Sequence, residues 1–283
     1  MRPEIERALD RLTHSGEDCP TRLREAIRYS LLAPGKRLRP LLVLMAADAC
    51  GFNPMEGLPA ACAVEMVHCY SLVHDDLPAM DDDRLRRGRP TCHVKFGETL
   101  AILVGDALLA QAFHVLCQLE MPAEYVVRCC RELAAAAGPE SLVGGQVDDL
   151  AGLPADCELA DLERIHRRKT GALITVSTRI GAILGDADAP TLAALDLYSQ
   201  NLGLAFQITD DLLDIGGSSI VLGKTTGKDA AQGKVTYPTL LGEAASRQRT
   251  ADLIAEARDA LRPLGYRAAH LDALAQFVLQ RDR

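Results

Sequence analysis

An all-α fold, a bundle of roughly ten or more helices, is what this sequence predicts. Three observations predict it. The apolar fraction is 48%, rich in Ala and Leu, while aromatics make up only 4%. That balance favours helix packing over sheet. Long apolar segments are stopped by Pro or Gly, as helices are. No stretch of useful length alternates with strand period. No linker divides the chain, so residues 1–283 read as one domain with a sizeable core.

Composition excludes several functions. A formal charge of −8 argues against a nucleic-acid surface, which needs a basic face. Nine cysteines, an odd number without a Cys-x-x-Cys pair, indicate neither a disulfide framework nor a zinc site. A reducing cytoplasm suits them. The N-terminus lacks an apolar signal core, and no apolar run is expected to span a membrane. Neither Gly-x-Gly-x-x-Gly nor Gly-x-x-x-x-Gly-Lys-Ser/Thr occurs, so nucleotide binding is not suggested.

Taken in order, Glu4–Leu12 and Thr21–Leu32 read as amphipathic helices. Pro34-Gly35-Lys36-Arg37-Leu38-Arg39-Pro40 then sets three cations in four residues before an apolar helix from Leu41 to Cys50. Cations there oppose the helix dipole, so helix stability does not explain them. A bound anion does, and the free backbone amides of the helix would help hold it. A surface basic turn explains the same residues equally well. A helix from Glu56 to His74 follows, with His68 seven residues before Asp75 and so on nearly the same face. A lone His on an apolar helix is more often a satisfied core residue than a ligand.

Five aspartates lie within Asp75–Asp83, at the end of that helix. Pro78 cannot continue it. The first aspartates therefore sit where the helix already carries partial negative charge. Such crowding asks for cations, and an oxygen-rich cluster suits Mg2+ sharing its shell with phosphates. Arg84, Arg86, Arg87 and Arg89 stand beside it. They either neutralise the aspartates or clamp phosphate oxygens.

Glu98–Leu119, Ala123–Ala137 and Glu140–Leu150 are three more helices. Gly105 inside the first is unfavourable by about 1 kcal/mol relative to Ala, which points to close helix contact. Leu159–Leu184 reads as one long helix weakened or kinked at Gly171. Thr191–Ile215 ends in a second acidic cluster, before Gly216-Gly217. There Gln207, Asp210, Asp211 and Asp214 are spaced i, i+3, i+4, i+7 along one stripe. Two such clusters on two apolar helices suggest two walls of one cation-filled cavity. Gly216–Gly233 reads as a linker or as a lid over phosphates. From Leu240 onward two or three helices follow, and the basic tail Gln280–Arg283 is a candidate to join that lid.

Asp75-Asp76-Leu77-Pro78-Ala79-Met80-Asp81 and Asp210-Asp211-Leu212-Leu213-Asp214 resemble the two aspartate-rich motifs of the short-chain isoprenyl (polyprenyl) diphosphate synthases. The likeness runs from Gly35 to the C-terminus and is nearest to the bacterial farnesyl diphosphate synthases. It implies the isoprenoid synthase fold, helices around a central cavity, and a homodimer. It implies a prenyltransferase joining isopentenyl diphosphate to dimethylallyl and then geranyl diphosphate, giving farnesyl diphosphate. Mg2+, roughly three ions per site, is the implied cofactor.

The motif positions imply roles. Asp75, Asp81 and Asp210 are the leading metal ligands, followed by Asp76, Asp211 and Asp214. Lys36, Arg39, His68 and Arg87 are implied to hold isopentenyl diphosphate, while Arg86, Lys169 and Lys224 hold the allylic one. Thr170 and Gln207 are implied beside the reacting carbon, Lys234 matches a later lysine of the family, and Gln146 and Asp149 face the cavity. Tyr70, with Ser71 beside it, is implied to be the floor that sets chain length. An aromatic at that position goes with a fifteen-carbon product.

Competing readings keep the chemistry but change the product to geranylgeranyl or geranyl diphosphate. Others change the class. A terpene cyclase would carry an Asn/Ser/Glu second motif, and a non-catalytic helical partner subunit would lack one acidic motif. A metal-dependent phosphohydrolase, suggested by His74-Asp75, would need further histidines at ligand spacing, which the other six do not show.

Overall fold

The computed structural model describes residues 1–14, 18–154, 156–215 and 234–280. Lys224, the segment 216–233 and the tail after Gln280 lie outside the described residues. Helices dominate: α1 (Arg2–Leu12), α2 (Thr21–Leu31), α3 (Leu38–Ala49) and α4 (Leu58–Asp75) come first. A minimal hairpin, β1 (Leu85–Arg86) and β2 (Arg89–Pro90), is the sole sheet among the described residues. It turns through Arg87 and Gly88, both at positive φ. Then come α5 (Cys92–Phe96), α6 (Glu98–Leu116), α7 (Ala123–Ala137), α8 (Leu142–Ala151) and α9 (Leu159–His166). A π-helical turn, Arg167–Gly171, joins α9 to α10 (Ala172–Leu184). The chain closes with α11 (Ala189–Ile215), α12 (Tyr237–Leu241), α13 (Glu243–Ala260), a short 3₁₀ segment and α14 (Ala269–Gln280).

Two apolar clusters build the core. One surrounds α4, whose residues Ala60 to Val67 are all buried, and draws on α1, α2, α6 and α7. The other surrounds α11 and draws on α13 and α14. Helices α3 and α10 contribute to both: Val43 and Leu173 face the first, Leu42 and Ile174 the second. Their paired seam fixes α4 and α11 relative to each other, and with them the two acidic ends.

Two expectations are revised. Helix α3 begins at Leu38, not Leu41, because Pro40 falls in its first turn, where no intrahelical N–H is missed. Arg39 is therefore a helix residue rather than part of the turn. Helix α6 is, by length and composition alone, apolar enough to cross a membrane. Its Ala101, Val104, Leu108 and Ala112 are buried against the protein, while Ile102 and Leu103 are exposed.

Candidate active site

The first acidic motif curls back on its own helix. The Asp81 N–H donates to the Asp75 carbonyl at 2.9 Å, and the Asp83 N–H to that of Asp76 at 3.2 Å. The turn that Pro78 forces thus gathers the aspartates at the end of α4. Burial pushes the Asp75 carboxyl up to about 6; Lys169 opposes the shift and Asp81 adds to it. Asp76 has another fate. It is 3% exposed, and Arg86 from the hairpin grips it, Nε at 2.7 Å from Oδ1 and 2.9 Å from Oδ2, Nη2 at 2.6 Å from Oδ1. Arg86, expected at the allylic diphosphate, is here bound to the motif itself.

The second motif also buries its second aspartate. Asp211 is buried and accepts from Gln207 Nε2 at 3.2 Å and from the Tyr237 N–H at 3.1 Å. Gln207 Oε1 accepts from Thr170 Oγ1 at 3.0 Å, so the amide orientation is fixed from both ends. Asp210 and Asp214 are only half-buried.

The π turn stands between the walls. Its extra residue changes the helical phase, which brings Lys169 and Thr170 to one side. Lys169 Nζ is 2.7 Å from Asp149 Oδ2, and Lys234 Nζ is 3.3 Å from the same atom. Although burial opposes it, these two cations hold the Asp149 carboxyl below its usual range. Helix α8 reaches the turn through Gly145, where a Cβ would lie 2.4 Å from the Lys169 backbone nitrogen. Gln146, next in sequence, is buried with neither amide atom hydrogen-bonded.

The basic segment before α3 divides its cations. Lys36 is exposed. Arg37 caps α3 with a φ of 52° and is buried against Glu65 (2.7 Å) and Glu6 (2.9 Å). Arg39 Nη1 donates to His68 Nε2 at 3.2 Å, so His68 accepts at that nitrogen and is neutral. Burial, reinforced by the charges of Arg39, Arg87 and Arg86, holds its pKa well below the ordinary value. Burial also draws Arg39 down to about 10, while Glu65 and Asp210 oppose it and Arg87 adds to it. Arg39 Nε is buried without a partner. Arg87 lies over Gly35, where a Cβ would sit 2.4 Å from its Nη1.

Basic residues lie within electrostatic reach of each motif. The charge of Asp210 on α11 reaches Arg39, and that of Lys169 reaches Asp75 on α4. A pocket is lined by His68, Arg37, Arg86, Arg87 and Asp76. Tyr70 is 7% exposed and Ser71 is buried, with its hydroxyl donating to the His68 carbonyl at 2.9 Å.

With this geometry in view, the likeness to known proteins has a clear meaning. A family model described as polyprenyl synthetase matches residues 20–262. The chain belongs to the polyprenyl synthetase family. It is 46% identical over 281 residues to a farnesyl diphosphate synthase of Geobacillus stearothermophilus, covering 98% of this chain and 94% of that one. It is 47% identical over 268 residues to a chloroplastic geranylgeranyl pyrophosphate synthase of Catharanthus roseus, covering 93% of this chain and 75% of that one. A geranyltransferase structure from Legionella pneumophila superposes with a TM-score of 0.89 at 35% identity, covering 99% of this chain and 94% of that one. The all-α isoprenoid synthase fold of such family members is the fold described here.

Three site partners escaped the sequence reading. Glu65 is a buried acid within the apolar run Ala60–Val67, and that isolation was a usable signal. Glu163 accepts the Tyr237 hydroxyl at 2.7 Å, which locks α12 onto α9. Tyr237 itself lies within a Thr236–Thr239 capping box, the local mark of a helix start.

Proposed function

We propose that this family member is a prenyltransferase that makes farnesyl diphosphate, by way of geranyl diphosphate, from isopentenyl and dimethylallyl diphosphates. The convergence of two acidic helix ends with Lys169, Arg39 and Arg87 carries the reading. Such a site must bind and release polyanions.

The donor set fits Mg2+. Among the described residues no three His, Cys, Asp or Glu side chains converge as a finished cage. Mg2+ is commonly held by one or two carboxylates, with substrate phosphates and water completing its shell. Asp75, Asp81, Asp210 and Asp214 would hold it, about three ions per site. Asp76 and Asp211, engaged by Arg86 and by Gln207 with Tyr237, keep these ligands in place. Bound Mg2+ would supply neutralising charge for the leaving diphosphate.

The chain's own residues do the rest. Lys169 and Lys234 exchange Asp149 for the allylic diphosphate, with Lys224 as a further candidate. As the carbon–oxygen bond breaks, its electron pair leaves with the diphosphate, whose growing charge these cations stabilise. The oxygen dipoles of Thr170 and Gln207 face the allylic cation. Apolar helix walls exclude water that would quench it. Lys36, Arg39 and Arg87 hold isopentenyl diphosphate, with His68 orienting Arg39, so that its double bond attacks the cation. The released diphosphate takes the final proton.

Tyr70 closes the floor of the chain-length cavity, with Ser71 beside it. Relatives named for farnesyl and for geranylgeranyl products are about equally identical to this chain, so overall identity does not choose between the products. Chromatography of dephosphorylated products tests the choice. Farnesol from the wild type, and geranylgeraniol from Tyr70→Ala, are expected. Mainly twenty-carbon alcohol from the wild type would overturn it.

We further propose one domain, a homodimer and a cytoplasmic setting. All nine cysteines are free thiols, which suits a reducing compartment. The exposed Ile102 and Leu103 on α6 suit a contact with a second copy. Light scattering on Leu103→Glu would then give a halved mass.

A further inference from the structure

Gly105 sits inside α6, where glycine is unfavourable by about 1 kcal/mol relative to Ala. The structure gives the reason. A Cβ there would lie 2.0 Å from His74 Nε2 and 2.4 Å from His74 Cδ2. The imidazole thus fills the space that a side chain at 105 would take. His74 Nε2 lies 3.0 Å from the Ile102 carbonyl, also on α6. A carbonyl oxygen only accepts, so the hydrogen is on Nε2. On its other side the His74 ring meets the Tyr70 ring edge to face, with centroids 6.0 Å apart and planes at 82°. Tyr70 and His74 are i and i+4 on α4, so one turn links them. The result is a stack: the α6 backbone, then His74, then Tyr70.

We propose that His74 and Gly105 are specificity-determining positions, which set product length by holding the Tyr70 ring against the α4–α6 contact. This rests on the reading of Tyr70 as the cavity floor. Neither residue need touch substrate; both are positioning residues. Gly105 gives the imidazole its room, the Ile102 carbonyl fixes its plane, and the ring edge restricts the swing of Tyr70. Without that support the aromatic turns aside, and a longer chain passes.

The test is the ratio of twenty- to fifteen-carbon alcohol from full-length enzyme given isopentenyl and geranyl diphosphates. Gly105→Ala and His74→Asn should each raise the ratio roughly fivefold or more, the size expected for residues in direct contact. His74→Gln keeps an N–H at the reach of Nε2 but loses the ring, so it should recover only part of the wild-type ratio. In a His74→Ala background, adding Gly105→Ala should change the ratio little, because the ring it displaces is gone. Circular dichroism keeps only folded variants in the comparison. If Tyr70→Ala shifts the ratio while folded Gly105→Ala and His74→Asn do not, the support role is wrong. Equal shifts for His74→Gln and His74→Asn would remove the hydrogen bond from it. If Tyr70→Ala itself changes nothing, the floor reading falls, and the support role falls with it.

Discussion

The two acidic walls use the same device with different materials. In Asp75-Asp76 and in Asp210-Asp211 the second aspartate is buried and engaged, and the first is half-buried. On α4 the engaging group is a cation, Arg86. On α11 a side-chain amide and a backbone N–H take part. A buried ion pair costs much when one partner is removed, because the other charge is left alone. A neutral hydrogen bond costs less. Losing Arg86 should therefore cost more than losing Gln207.

The largest expected effect separates the two members of each pair. Asp75→Ala and Asp210→Ala should each lower turnover by about 10²–10³ or more with helical content intact. Asp76→Asn and Asp211→Asn should lower thermal stability first and turnover much less. Diphosphate release and circular dichroism on the four variants check this. Next in size, Arg86→Met should cost about 3–5 kcal/mol in denaturant unfolding, and Asp76→Asn should recover part of that loss in the double variant. Gln207→Leu, its counterpart on the other wall, should cost only about 1 kcal/mol or slightly more. Equal losses would erase the contrast.

The cations sharpen it further. Arg39→Ala should raise KM for isopentenyl diphosphate roughly tenfold or more, and Lys169→Ala should do so for the allylic substrate, since a hydrogen bond to a charged group is worth about 1.5–3 kcal/mol. Initial rates with each substrate varied in turn decide it.

A separate effect concerns pH. Burial draws His166, stacked on Tyr237, down to about 4. The unfolded chain takes up that proton near 6.5, before the native state does. Stability is thus full above about 6.5 and falls as pH drops toward 4, by up to roughly 3 kcal/mol. His166→Phe should flatten that slope in unfolding midpoints taken across the window.

Much of this was legible in the sequence because it follows from local rules. The apolar runs gave α4, α6 and α11, and Pro78 fixed where the first acidic motif turns. Gly171 announced the disturbance in the long helix, but not that it would be a π turn carrying Lys169 and Thr170. What spacing cannot reveal is pairing across the fold. Asp75 and Asp76 are identical residues side by side, and only the arrival of Arg86 makes one structural. Arg37 and Arg39 look alike in sequence, yet Arg37 is spent on Glu6 and Glu65 while Arg39 meets His68. Gly105 signalled close contact, while its partner, His74, is on another helix.

The central claim is that both walls act on one leaving group. Residues that work as a unit are non-additive: once one is lost, losing the other changes little. The decisive measurement is Mg2+-dependent diphosphate release from geranyl and isopentenyl diphosphates by Asp75→Ala, Asp210→Ala and the double variant. The account predicts that the double variant is about as slow as the slower single one. Losses that multiply, or a single variant that keeps near-normal turnover, would contradict it.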